Sequence, residues 1–272
     1  MVLERLVAWV ENSENQPPRP TNGTVSAKRL PTSILFYRDG LSESQFEECM
    51  QKEVLAVERA FNALTAKYNR TNVQLKLTFV VVGKRHNTRF FPKRNNETHG
   101  PPRNLNGNVR PGLFVNDIVT TPNDFNFYLQ SHAAPNGTAR SAHYHVLRDG
   151  MGFGGTANNR LADVTNFLCY SFPRALKGVS YVGPAYMADS LCERGRMYLR
   201  HWIPPTSFQL PADNNGAPWT NDAIQQWKTR KALDLSNNPD MWSQHYQHSD
   251  MPGSPKRHNP WHPRLDNTMF WI

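Results

Sequence analysis

The chain has 272 residues, enough for one large domain or two small ones around a substantial core. A hydrophobic share of 38% with aromatics at 11% excludes wholesale disorder, and no apolar run reaches the about 18 residues that a membrane span needs. The net charge is +9 and the pI about 9.6, a balance suited to polyanionic partners.

In chain order, residues 2–11 place Leu3, Leu6, Val7 and Val10 on one helical stripe, and a loose Pro/Asn/Ser-rich stretch follows as far as Lys28. Ser33 to Arg38 reads as a buried strand that stops in a turn at Asp39-Gly40. Ser42 to Tyr68 predicts a helix, with Ser42 and Gln45 in capping-box spacing and a stripe of Phe46, Met50, Val54, Val57, Phe61 and Leu64. Leu75 to Val82 reads as the next strand, so a parallel strand-helix-strand unit and an α/β fold are expected. Further strands are predicted at Leu113 to Thr120, Ala142 to Leu147 and Gly178 to Val182, and helices at Ala157 to Phe172 and from Pro184 to about Trp202. Residues 204–262 read as a loop-rich insertion with one helical patch near Asn221 to Leu233.

The basic excess is concentrated. Residues 84–110 hold seven Lys/Arg against one acid, and residues 140–200 hold eight against four. Two such blocks read as a groove for phosphates rather than as a solubility device. The first block is loop-borne, from Gly83-Lys84-Arg85 to Pro111.

Cys49, Cys169 and Cys192 form no metal-site or redox spacing. Together with a start that reads as an amphipathic helix, they predict reduced thiols in an intracellular compartment, each buried as a small apolar residue. His245, His248, His258 and His262 lack the pair spacing of a zinc site and read as solvated loop. Asp39 at a strand end suits a ligand position, but a turn aspartate capping the next helix is commoner, and Arg148-Asp149-Gly150 repeats the pattern. Asp189, Glu193 and Arg196 share one helix face, which by itself reads as solvated.

Four long segments then fall in order: ILFYRDGLSESQFEECMQKEVLAVERAF (34–61), TFVVVGKRHNTRFFP (78–92), NVRPGLFVNDIVTTPNDFNFYLQSHAAPNGTARSAHYHVL (108–147) and GPAYMADSLCERGRMYL (183–199). Together they resemble the Piwi domain of Argonaute proteins, in the Argonaute rather than the Piwi clade, with Asn/Pro-rich insertions similar to those of fungal members. The resemblance implies an α/β, RNase H-like fold. In cleaving members it implies cutting of a target RNA paired to a small guide, with Mg2+ or Mn2+ held by four residues, a donor set suited to in-line displacement. Asp39 matches the second aspartate of this set and Asp189 its fourth residue. The first aspartate and the glutamate of the family lie upstream of the Arg-Asp-Gly strand, so the chain is expected to be a C-terminal portion of the domain that lacks the first strands of the sheet. The metal is accordingly expected only where those upstream residues are supplied.

For the guide backbone and its 5′ phosphate, the resemblance implies Lys84, Arg85, His132, Arg140, Arg174, Ser180, Tyr186, Arg194 and Arg196, Arg194 matching a family arginine that reaches the phosphate. Such side chains position a strand without reading its sequence. Tyr144 and Tyr186 read as core rather than as stacking platforms. The expected organisation is a Piwi portion over 1–203, the insertion over 204–262, and a tail over 263–272 at the 5′-phosphate region. Expected partners are a small guide RNA, its complementary target RNA and Trp-bearing silencing proteins, in the cytoplasm and also the nucleus. A rival expectation is a catalytically inactive scaffold that binds RNA or partners. An unrelated RNase H-like nuclease would not need the GKRHNTR and SHAAPNGTAR blocks.

Overall fold

A helix of ten residues, α1 (Val2–Glu11), opens the chain, and strand β1 (Ser33–Asp39) leads into the longest helical run. The computed structural model describes residues 2–12, 15, 28–70, 72–100, 107–154, 160–199 and 218–238. The Ser42 amide donates to Gln45 Oε1 at 3.2 Å, satisfying the entry to a 3-10 turn at Glu43–Gln45. That turn feeds α2 (Phe46–Cys49), a π turn (Met50–Val54) and α3 (Leu55–Lys67) without a break. The run ends where Asn69 takes a left-handed conformation (φ 52°) and the Arg70 amide reaches back to the Thr65 carbonyl at 2.8 Å.

Strands β2 (Lys76–Gly83), β3 (Leu113–Val115), β4 (Asn126–Gln130) and β5 (Ala142–Asp149) complete a five-stranded sheet in the order β1-β2-β5-β4-β3. Strands β1 and β2 are parallel, as the helical crossover between them requires, and the other pairs are antiparallel. Both faces of β2 are covered, which explains its continuous apolar run. Leu77, Phe79 and Val81 pack against Cys49, Val54 and Val57 on one face. Val80 and Val82 join Phe127, Leu129 and Tyr144 on the other, under α4 (Arg160–Cys169) and the start of α5 (Gly183–Leu199). Phe61 and Leu64 bury α1 against α3 through Val10 and Leu30.

Three expectations need correction. Residues 178–182 make no strand: the Ser131 hydroxyl donates to the Val179 carbonyl at 2.6 Å, the Val179 amide to Cys169 at 2.9 Å and the Val182 amide to the Tyr144 hydroxyl at 3.1 Å. Scattered tertiary partners thus replace a ladder, while Tyr181 and Val182 fill the core. The strand at 113 stops at Val115 because Ile118 adopts φ 58°, which no strand accommodates. Cys192 is exposed, although Cys49 and Cys169 are buried.

The chain divides into two compact units, Met1–Tyr186 and Met187–Ile272. The second holds most of α5 and a helix α6 (Asn221–Asn237), whose first turn is capped by the Thr220 hydroxyl accepting from the Ala223 amide at 3.2 Å. Among the described residues no helix is long and apolar enough to cross a membrane. The four loop histidines and the tail over 263–272 lie outside the described residues.

Candidate nucleic-acid interface

The strand directions gather Asp39, Lys84, Arg85, His132 and Arg140 at one end of the sheet. Asp39 closes β1 opposite Val82, and Lys84 and Arg85 follow β2 directly. Leu129 pairs with Ala142, so His132, just past β4, and Arg140, just before β5, emerge at this same end. Asp149 pairs instead with Thr78, four residues back along β2 from the partner of Asp39, or about 13 Å at the rise of a strand. The two Arg-Asp-Gly turns therefore lie at opposite ends of the sheet. The Asp149 carboxylate accepts from the Thr78 hydroxyl at 3.2 Å and from the Gly154 amide at 2.7 Å, the bonds of an aspartate that shapes its own turn.

Lys84 is the centre of the cluster. Its ammonium donates to the Ser180 hydroxyl and sits 5.1 Å from the centroid of the Tyr181 ring. Burial holds its pKa below the ordinary lysine value; Asp39 acts in the opposite direction and Arg140 in the same one. His132 is likewise held below the ordinary histidine value, by burial first and by Lys84 second. Lys84 thus lies in the fields of Asp39 and Arg140, and His132 in the field of Lys84. Beneath them, Gln130 is buried and donates to the His132 carbonyl at 2.7 Å while accepting from the Ser141 hydroxyl at 2.9 Å, which fixes the exit of β4. A half-buried ammonium that has given up water for one hydroxyl gains strongly from an arriving anion.

A sequence profile of the Piwi domain matches residues 24–200. The chain belongs to the Piwi domain family. Among curated proteins, Argonaute 5 of Arabidopsis thaliana is 44% identical over 173 residues, covering 63% of this chain and 16% of that protein. Argonaute 10 of the same plant is 42% identical over 213 residues, covering 73% of this chain and 20% of its own length. The Piwi-family chain thus spans a fifth or less of these relatives. Among solved structures, the C-terminal lobe of a budding yeast Argonaute superposes with a TM-score of 0.62 at 28% identity over 82% of this chain and 42% of that one. Kluyveromyces polysporus Argonaute with a guide RNA gives 0.61 at 28% identity, over 82% of this chain and 24% of that one. The fold is accordingly the RNase H-like α/β fold of Argonaute C-terminal lobes.

The other candidates are distributed as follows. Arg85, Arg140 and Arg174 are exposed in the first unit, and Ser180 is buried beneath Lys84. Tyr144 is fully buried, whereas Tyr186 is half-buried and stacks on Tyr181 with centroids 4.2 Å apart. Asp189, Arg194 and Arg196 belong to the second unit and are exposed on α5, where Arg194 Nε donates to the Tyr198 hydroxyl at 3.4 Å. Tyr181 and Gln130 escaped the sequence reading, because each sits in an apolar run that disguises a polar partner as core. Among the described residues no group of three or more His, Cys, Asp or Glu side chains is placed to hold a metal ion. Asp39 and Asp189 alone supply two carboxylates, fewer donors than a paired-metal site uses, so such a site would need further ligands from a longer protein.

Proposed function

We propose that the chain binds the backbone and 5′ phosphate of a small guide RNA for RNA-mediated silencing, and that as part of a longer Argonaute it contributes Asp39 and Asp189 to magnesium- or manganese-dependent cleavage of a complementary target. One observation carries the binding reading: the half-buried Lys84 ammonium, flanked by Ser180, Tyr181, His132 and Arg140 at one end of the sheet. Lysine and arginine supply charge there, serine a hydroxyl donor and histidine a ring N–H, the set that grips phosphate without reading bases. The guide RNA in the Kluyveromyces polysporus Argonaute structure supports the same partner.

The test is binding of the purified chain to short single-stranded RNA with and without a 5′ phosphate, for wild type, Lys84→Ala and Arg194→Ala. Tighter binding of the phosphorylated strand, lost in Arg194→Ala, is expected. Equal affinity for both strands in all three proteins would remove the 5′-phosphate assignment.

A second reading, a scaffold for Trp-bearing silencing proteins, is favoured by a cavity of about 560 Å3 walled by Trp9, Leu30, Pro31 and Val73 with Arg29 and Arg70 beside them. Apolar walls beside guanidinium groups suit an inserted indole. A Trp-containing peptide that binds wild type and Trp9→Ala equally would exclude it.

A further inference from the structure

The loop that carries the first basic block crosses the end of the sheet from one face to the other. Lys84 meets Tyr181, which packs with Phe127, Leu129 and Tyr144; Tyr128 and His143 alternate with these along β4 and β5 and point to the opposite face. There the loop is braced. His86 Nε2 donates to the Ser141 carbonyl at 2.8 Å, Arg89 Nη1 donates to the carbonyls of His86 and Thr88 at 2.8 and 2.7 Å, and the Phe90 ring meets Tyr128 edge to face, centroids 5.5 Å apart. Farther on, Glu97 Oε2 accepts from the Lys93 and Arg94 amides, each at 3.2 Å, and the Arg110 guanidinium donates to the Asn96 carbonyl.

Phe91, in the middle of this braced stretch, is 66% exposed. Pro92 holds it to extended backbone, where neighbouring side chains leave on opposite sides, so the inward turn of Phe90 sends the Phe91 ring outward. It belongs to no apolar cluster, and among the described residues it meets no other ring and no cation. Both faces of the ring are therefore open to a ligand, and the bracing around it lowers the entropic cost of binding one.

Charge identifies the ligand. From Arg85 to Glu97 the loop holds four Lys or Arg and one acid, and the carboxylate of that acid is committed to two backbone amides. Lys93 and Arg94 are exposed two and three residues beyond Phe91, and among the described residues neither is paired with an acid. An open aromatic face beside unpaired cations matches a partner with flat rings and repeated negative charge. We propose that Phe91 is a stacking platform for one base of a single-stranded RNA, with Lys93 and Arg94 on the flanking phosphates. Seven residues separate Phe91 from Lys84, a span of at most about 25 Å, so one strand can meet both. The proposal rests on the RNA-binding reading but not on its 5′-phosphate assignment, and it adds a contact to bases where the Lys84 cluster offers contacts to phosphate.

The experiment irradiates the full chain with a short, 5′-unphosphorylated single-stranded RNA carrying 5-iodouridine, maps the cross-linked residue by mass spectrometry and measures affinities by anisotropy. A cross-link at Phe91 is expected, with affinity lower by at least about fivefold in Phe91→Ala and restored in Phe91→Trp. An abasic oligomer of the same length should bind wild type and Phe91→Ala equally, because it has nothing to stack. Phe91 is exposed, so both variants keep the fold, which thermal melts check. The two readings fail separately: a Phe91 cross-link without any 5′-phosphate preference strikes the 5′-phosphate assignment and supports the platform, whereas affinity that depends on Lys84 but not on Phe91 overturns the platform alone. Cross-links confined to other residues also overturn it, as does an acidic phenylalanine-containing peptide whose binding depends on Phe91 when that of RNA does not.

Discussion

Arg38 forks onto Glu53: Nε donates to Oε2 at 2.8 Å and Nη2 to Oε1 at 3.1 Å, while Nη1 turns back to the carbonyl of Asp39. Glu53 lies on the π turn of the crossover helix, where the widened backbone re-aims the side chains around it. One guanidinium therefore ties the strand end that carries Asp39 to the helix that spans β1 and β2. Glu58, farther along the same helix, pairs with Arg148 of β5, so two carboxylates pin the helix to two different strands.

Removing the charge of Glu53 should cost little stability despite this geometry. The two side chains are 35% and 40% exposed, so solvent screens the pair and Glu53→Gln is expected to lower unfolding free energy by about 1 kcal/mol or less. Urea denaturation of Glu53→Gln, Glu58→Gln and the double variant checks this. The effects should add within about 0.5 kcal/mol, because each carboxylate has its own partner.

Protonation of buried histidines contributes a pH dependence to the stability of the fold. His143 stacks on Tyr128 with centroids 4.3 Å apart, and its Nε2 bonds to Asn126 Oδ1 at 3.0 Å. The Asn126 amide nitrogen faces the carbonyls of Thr121 and Asp124, so its oxygen must accept and His143 Nε2 must donate. Burial, with His145 and His86 nearby, pushes the His143 pKa down to about 4. The unfolded chain takes up that proton near pH 6.5, before the folded one does. Stability is therefore complete above about pH 6.5, falls as pH drops toward 4 and levels off below. His132 and His145 are lowered as well and add in the same direction. The folding constant should change by up to about tenfold per pH unit for His143 alone. In denaturation curves at successive pH values, His143→Gln should flatten the profile; an unchanged slope would assign it to other groups.

The parts of the fold visible in the sequence are those governed by local periodicity. The stripe Val54, Val57, Phe61 and Leu64 gave the crossover helix, and the apolar run Leu77 to Val82 gave a strand buried on both faces. Strand β4 was not foreseen, because Asn126 and Gln130 are polar residues buried through long-range bonds to His143 and Ser141. The segment Val179 to Val182 misled for the opposite reason: its apolar pattern is that of a strand, but its backbone partners are the side chains of Ser131 and Tyr144, which no periodicity records. At the candidate site, Lys84, Ser180, His132 and Arg140 were named through family resemblance, while Tyr181 beneath them follows only from the ring under the ammonium.

If Lys84 contacts a phosphate, its neutral replacement should change the salt dependence of RNA binding as well as its strength. Lys84→Gln is expected to weaken binding to all sequences alike and to reduce the slope of log affinity against log salt by about one. Anisotropy titrations across a range of salt concentrations test this. A weakened affinity with an unaltered slope would mean that Lys84 acts through Ser180 and Tyr181 on the local structure and not through a phosphate.

Gly178 offers a way to move the floor of this site without touching a charge. A Cβ there would lie 2.7 Å from the Ser131 carbonyl oxygen and 2.8 Å from Tyr170 Cζ, contacts that real side chains do not make. The same Ser131 carbonyl accepts from the Tyr170 hydroxyl at 3.1 Å, so the neighbours are held and the segment itself must shift. Gly178→Ala should therefore cost about 1–3 kcal/mol of stability by overpacking. It should also draw Ser180 away from Lys84, two residues along the displaced segment. The expected signature is a lowered melting temperature together with weaker RNA binding, the salt slope staying at its wild-type value because no charge has been removed. Wild-type affinity in a folded Gly178→Ala protein would show that the Ser180 contact does not set the position of Lys84.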